Sequence, residues 1–333
     1  MLLLVGAIKS GIIYALADGS FLTAGEVAAR AGSDLRATRV VLEALVAEEL
    51  AEVAAALHEE AVRGIGSGEP RYCLTLEARA HLVDGGADFE RNALLHQVNK
   101  IRGWLELPDV IRTGKPAPRS GGGCDFSVMA AAMGERDPAL LELIVQRCLS
   151  YAGSVHNVLD VGGAVGHVAR RFASRGCKVT LFDREEVIEV AKRHLGESDW
   201  NIDLVAGDYT KALPPGPYDL VYFGNVYHIY GPQTNARVTK EAFSILNPGG
   251  VIAIQDYVWG HSREAALFAV NMLRSTEEGG VWTEEQYCTW LEEAGFAQIC
   301  LEDLEDYGCQ LMLAKRPPDR QEGENHGPLF ASG

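Results

Sequence analysis

Three acid-and-glycine groups stand out in the second half of the chain. The first is Val158-Leu-Asp-Val-Gly-Gly-Ala-Val-Gly166, where Asp160 precedes Gly162, Gly163 and Gly166. The second is the lone acid Asp183, and the third is Gly207-Asp208-Tyr209. Glycines after a buried strand let a ligand approach the backbone closely. The order here contains no GxG pair, so it lacks the GxGxxG fingerprint that aims a helix N-terminus at a pyrophosphate. A carboxylate at Asp160 would repel a diphosphate and suits a ligand with an amine and a sulfonium. Asp183 can accept from both hydroxyls of a ribose, or cap the helix after it. Asp208 can accept from an adenine amino group, with Tyr209 lying on the ring.

These groups need a frame that brings them to one edge. From Asn157 the sequence alternates strand and helix. Strands are predicted at Val158–Val161, Val179–Phe182, Ile202–Val205, Leu220–Phe223 and Val251–Gln255. Helices are predicted at Val165–Ser174, Ile188–His194, Asn235–Leu246 and Thr283–Ala294, the third stopped by Asn247-Pro-Gly-Gly250 and the last by Gly295. Such alternation implies a mostly parallel, doubly wound α/β sheet, which binds ligands beyond the carboxyl ends of its strands. Asp160, Asp183 and Gly207-Asp208 all fall at such ends. Ile299–Leu301 and Cys309–Ala314 follow without the same spacing and are expected to form an antiparallel edge.

The N-terminal part reads differently. Ile8, Ile12, Ile13 and Leu16 recur at helical spacing. Thr23 and Glu26 form a capping box for a short helix that ends at Gly32. Ser33 or Asp34 caps the next helix, whose apolar face is Val40, Val41, Leu42, Leu45 and Val46. Short strands are expected at Ala51–Val53 and Tyr72–Leu74. This is the pattern of a winged helix-turn-helix. The longer helix carries Arg36 and Arg39 but also Glu43, Glu48 and Glu49, a poor face for phosphate. Packing against a second copy is the better reading. Met1–Ala7 is apolar but short, has no basic segment before it and is interrupted by Lys9, so it is expected to be a docked amphipathic helix.

Bulk properties agree. The chain has 333 residues, is 47% hydrophobic and carries a net charge of −16. That suits one large or two modest domains and disfavours nucleic acid as a partner. Seven cysteines without CxxC pairs argue against a disulfide framework or a zinc site and fit a reducing cytoplasm. No membrane segment is expected.

Together, Asp160–Gly166, Asp183, Gly207-Asp208-Tyr209, the Asn247–Gly250 turn and the winged-helix-like start resemble the plant-type and bacterial small-molecule O-methyltransferases. The similarity runs from about residue 5 to residue 315. It implies a Rossmann-like methyltransferase sheet with a mainly helical N-terminal domain and S-adenosyl-L-methionine as cofactor. It implies a dimerisation domain over residues 1–100, a helical connector lining the substrate cleft over 101–150 and a catalytic domain over 151–315, while the tail, 316–333, is rich in Pro, Gly and charge and is expected to be disordered. A homodimer in secondary metabolism follows from the same likeness. Asp160, Gly162, Gly163, Gly166, Asp183, Asp208, Tyr209 and Asn225 would hold the cofactor. Ala164 stands where the family usually has a third glycine.

By the same resemblance His228, in Asn225-Val-Tyr-His-Ile-Tyr230, is the general base that takes a proton from a substrate hydroxyl. Tyr227, Phe268, Asn271, Met272 and Trp282 would line the substrate pocket. The family often follows its histidine with an acid and orients it with a glutamate after a Gly-Gly pair. Here Ile229 and Tyr230 follow, and Gly279-Gly280-Val281-Trp282-Thr283 has no acid after the glycines. Glu277 or Glu278 are the substitutes to consider. Without such a partner, C-methylation and a non-catalytic winged-helix regulator stay open as alternatives.

Overall fold

The structure, a computed structural model, describes residues 1–54, 69–83, 94, 104–116, 137–196, 200–304 and 307–319. Contacts divide the chain into two compact units, Met1–Thr113 with Ala117–Asp137, and Gly114–Pro116 with Pro138–Gly333.

In the first unit, α1 (Leu2–Lys9) and α2 (Ile12–Ala15) are separated by Gly11 in the left-handed region. The helix α3 (Ala24–Ala31) has the predicted Thr23–Glu26 capping box and ends on Gly32 at φ 65°. Asp34, not Ser33, caps α4 (Leu35–Ala47), because the Ser33 hydroxyl pairs with Thr38. Leu42 and Leu45 of α4 are fully buried, whereas Val40 is 61% exposed and lies off the predicted apolar face. The strands β1 (Leu22–Thr23), β2 (Ala51–Val53) and β3 (Arg71–Leu74) form an antiparallel sheet in the order β1-β3-β2. Two residues of β1 leave no periodicity, so the sequence did not reveal it. The helices α5 (Leu76–Leu82) and α6 (Leu107–Thr113) follow. Most of the predicted connector, 117–136 included, lies outside the described residues.

The second unit begins one element earlier than residue 151. The helix α7 (Pro138–Ala152) buries Leu140, Ile144, Val145 and Cys148 in the core of this unit. Its sheet runs β6-β5-β4-β7-β8-β10-β9. The strands β4 (Asn157–Val161), β5 (Lys178–Asp183), β6 (Ile202–Ala206), β7 (Tyr218–Gly224) and β8 (Leu246–Asp256) are parallel. The Asn247-Pro-Gly-Gly turn becomes the irregular start of β8. The strand β10 (Cys309–Lys315) lies antiparallel between β8 and the edge strand β9 (Ala297–Leu304).

Both faces are covered, which is why these strands read as nearly continuous apolar runs. Alternation splits them: Leu159, Val161, Val221, Phe223, Ile252 and Ile254 enter one core, and Val158, Leu220, Tyr222, Val251 and Ala253 enter the other. The covering helices are α8 (His167–Ser174), α9 (Glu185–Leu195), α10 (Pro232–Ile245) and α12 (Glu284–Ala294), and α11 (Arg263–Ser275) lies between β8 and α12 in the chain. The sequence reading passed over α11 although Ser262 caps it through the Ala265 amide. The predicted tail is anchored at its first residue: Arg316 pairs with Gly249 and Gly250 through the backbone and donates to the Leu246 carbonyl. Residues 320–333 lie outside the described part. No described helix is long and apolar enough to cross a membrane.

Candidate active site

The glycine loop closes the C-terminal end of β4. The Gly162 amide donates to the Phe182 carbonyl of β5, and φ of Gly162 is 71°. A Cβ on Gly162 would lie 2.7 Å from Val226 Cγ2, and one on Gly163 would lie 2.9 Å from Asp160 Oδ2. Gly166, at φ 84°, is the N-cap of α8. Any side chain at Gly162 or Gly163 would therefore strike its neighbours and shift the loop. Ala164 adopts φ 49°, so the methyl that replaces the family's glycine sits in the left-handed region.

Asp160 is 1% exposed and its Oδ2 has no hydrogen-bond partner among the described residues. Burial, reinforced by the Asp183 charge, pushes its carboxyl up to about 7. A buried carboxylate without a counter-charge is costly, and a cationic ligand would relieve that cost. Asp183 ends β5. Its two oxygens accept from the Ala164 amide at 3.0 Å and the Arg184 amide at 2.8 Å. Burial raises its pKa, and those amides oppose the rise. The capping alternative does not hold, because the N-cap of α9 is Arg184. Each carboxylate oxygen can accept a further bond, as a ribose diol requires.

Asp208 is partly committed locally. Its Oδ1 accepts from the Thr210 hydroxyl at 2.6 Å and the Thr210 amide at 2.9 Å, and the hydroxyl bond leads in holding its pKa low. The Tyr209 ring packs edge-to-face on Tyr230 with centroids 5.5 Å apart. The loop after β6 therefore touches the segment that bears His228.

The residues present fit S-adenosylmethionine. The orphaned oxygen of Asp160 suits a positive sulfur and ammonium, the glycine cradle admits a ligand at the backbone, and the three carboxylates disfavour phosphate.

His228 sits in a single 3-10 turn, Tyr227–Ile229, just after β7 and is 8% exposed. Its Nδ1 is 2.8 Å from Asp256 Oδ1, and its backbone N–H donates to Asp256 Oδ2 at 3.1 Å. Asp256 is itself 1% exposed. An ionised carboxylate only accepts, so the bond calls for a proton on Nδ1, and in the neutral ring that tautomer leaves the Nε2 lone pair open to a proton. The expectation that His228 lacks an acid is thus corrected. Its partner ends the adjacent parallel strand, where Gly224 of β7 is level with Gln255 of β8. That neighbour is set by topology, not by sequence proximity. Glu278 lies instead against Gly231, where a Cβ would come within 3.0 Å of its carboxylate.

The Gly-Gly segment also acts on His228, but through the backbone. The Gly280 amide donates to the His228 carbonyl at 3.0 Å. A Cβ on Gly279 would collide with the carbonyls of His228 and Ile229.

The expected pocket residues separate. Phe268 of α11 meets the His228 ring edge-to-face, with centroids 4.7 Å apart. Asn271 lies on the same helix and accepts from Arg274 at 3.0 Å. Met272 is buried. Tyr227 is corrected: it is 1% exposed, its hydroxyl pairs with Thr239, and its ring packs with Phe223, Tyr287 and Trp290. It belongs to the core because 3-10 geometry turns it away from His228. Trp282 donates from Nε1 to the Tyr227 carbonyl at 2.8 Å and so braces the turn from behind. Asn225 directly follows β7, at φ 58°, and is bonded to Gln255.

A family model for the O-methyltransferase domain matches residues 139–297. The chain is 26% identical over 307 residues to the tetracenomycin polyketide synthesis 8-O-methyl transferase TcmO of Streptomyces glaucescens, covering 86% of this chain and 85% of that protein. It is 31% identical to human acetylserotonin O-methyltransferase over 144 residues, 41% of each chain. The crystal structure of human N-acetylserotonin methyltransferase in complex with SAM shares the fold, with a TM-score of 0.73, 22% identity and coverage of 95% and 93% of the two chains. On the order of its motifs and on these likenesses, residues 139–297 form an O-methyltransferase domain of the kind that depends on S-adenosylmethionine.

Proposed function

We propose that the chain methylates a hydroxyl of a small aromatic or polyketide-like molecule, with His228 as general base. The bond from His228 Nδ1 to Asp256 carries this reading. The relative TcmO, named for a polyketide 8-O-methylation, supports the substrate class. When bound, S-adenosylmethionine supplies an electrophilic methyl group on a sulfonium. Asp160, the glycine cradle, Asp183 and Asp208 with Tyr209 would hold it by charge, close approach, ribose contacts and adenine contacts. Asn225 belongs to the same set. His228 Nε2 would take the hydroxyl proton, and Asp256 would hold the ring in the tautomer that can accept it. Phe268 limits the tilt of the ring and shields it from water.

The C-methylation and regulator alternatives drew on a histidine without an acid, and Asp256 removes that ground. A homodimer formed through the N-terminal unit fits the exposed Leu2, Tyr14, Val40 and Leu76. A cytoplasmic place in secondary metabolism completes the reading.

The test is to incubate the protein with S-adenosylmethionine and a panel of phenols and hydroxylated polyketides and read products by mass spectrometry. The expected result is an O-methylated product that disappears with His228→Ala. Methylation at carbon only, or an undiminished rate in His228→Ala, would contradict the proposal.

A further inference from the structure

Gln255 is polar yet buried, 2% exposed, one residue before the carboxyl end of β8. It adjoins Asp256 yet takes no part in the His228 pair. Its side chain addresses Asn225 instead. Gln255 Oε1 accepts from Asn225 Nδ2 at 2.5 Å and from the Tyr222 hydroxyl at 3.4 Å. The Asn225 backbone N–H donates to the Gln255 carbonyl at 2.7 Å. Asn225 is thus gripped by main chain and side chain at once, in a left-handed conformation that few residues tolerate. Backbone held in this region by surrounding bonds is common at ligand sites.

Turning Nδ2 toward Gln255 turns Oδ1 of Asn225 to the opposite side of the amide. The place of Asn225 follows from the sheet. Val226, the next residue, is what a Cβ on Gly162 would strike, so Asn225 lies beside the glycine cradle. Adjacent strands are about 4.8 Å apart, so the edge from β6 to β7 spans about 14 Å. Asp208 and Tyr209 lie at the β6 end, Asp183 at β5, Asp160 at β4 and Asn225 at β7. An adenosyl group laid along this edge with its base at β6 puts its aminoacyl tail at β4 and β7.

We infer that Gln255 is a positioning residue that aims the Asn225 carbonyl oxygen at the α-ammonium of the cofactor's aminoacyl tail. An amide oxygen accepts from an ammonium and repels a carboxylate, so this fixes the sense in which the tail lies. The inference rests on the cofactor reading above.

The experiment is calorimetry with two nucleosides, S-adenosylhomocysteine and 5′-methylthioadenosine, which lacks the aminoacyl tail. In Gln255→Met the Kd for S-adenosylhomocysteine rises about tenfold, the scale of one bond to a charged group. The Kd for methylthioadenosine stays within about twofold, because the ribose and adenine contacts are unchanged. Asn225→Ala shows the same split, and the double variant is no worse than the weaker single, as expected for residues acting in series. Should Gln255→Met not fold, Asn225→Ala, with a half-buried side chain, carries the same comparison. Equal losses for both nucleosides, no loss, or additive losses in the double variant would overturn the inference. A wild-type protein that binds neither nucleoside would overturn the cofactor reading itself, and the inference with it.

Discussion

His228 and Asp256 are joined twice, once through the imidazole Nδ1 and once through the histidine's own peptide N–H. The carboxylate therefore fixes both the ring and the backbone that carries it. A third bond, from the Tyr257 amide to Asp256 Oδ1, fixes the carboxylate.

Replacing Asp256 by Asn should keep the volume and lose the obligate acceptor. The amide can present N–H to Nδ1 and select the tautomer that cannot take a proton at Nε2. We expect kcat to fall about a hundredfold or more with KM little changed, the scale of a lost general base. Asp256→Ala should also unfold more readily, by about 1–3 kcal/mol, because buried N–H groups lose their acceptor. Steady-state kinetics and denaturant titration check both.

Gly279→Ala tests the backbone brace. Its methyl would press on the His228 and Ile229 carbonyls, so the turn must move. A stability loss of about 1–3 kcal/mol is expected for such overpacking. The sharper expectation is a fall in kcat in a variant that still binds S-adenosylhomocysteine as the parent does.

Much of this was legible beforehand. The acids at the strand ends, the glycine loop, the capping boxes and the parallel order follow from local patterns and strand–helix alternation. Asp256 was hidden because its pairing with His228 comes from two strands lying side by side, 28 residues apart in sequence. Gln255 was hidden for the same reason. Tyr227 was misplaced because a resemblance does not say which way one turn of 3-10 helix faces. The strand β1 is too short to show alternation, and α11 was missed although Ser262 announces it.

The loop glycines and Ala164 should respond in opposite directions. Ala164 pays the left-handed penalty of an L-residue, so Ala164→Gly should stabilise the fold by up to about 1 kcal/mol and leave activity intact. Gly162→Ala adds that penalty and a clash with Val226, and should lose both stability and cofactor affinity. Thermal melts with and without S-adenosylhomocysteine separate the two effects.

Asp160 gives a pH dependence. Its folded pKa, about 7, lies above the ordinary carboxyl value of 3.8, so between these limits the folded state holds a proton that the unfolded state has lost. Its contribution to stability is therefore complete below about pH 4 and declines as pH rises toward 7. Asp160→Asn should raise the melting temperature of the ligand-free protein more at pH 8 than at pH 5. A sulfonium beside the carboxylate favours its ionised form, so binding the cationic cofactor near pH 6 should release a proton, seen as a buffer-dependent heat. Asp160→Asn should abolish that heat and weaken the cation more than the neutral thioether.

The central claim is that the edge formed by Asp160, Asp183 and Asp208 holds an adenosyl cofactor without phosphate. Equilibrium titration with S-adenosylmethionine, in parallel with a nicotinamide dinucleotide, reads this directly. One saturable site for the sulfonium nucleoside, weakened at least about tenfold in Asp183→Ala, with no uptake of the dinucleotide, is the predicted result. Undiminished binding in Asp183→Ala, or uptake of the dinucleotide in its place, would contradict it.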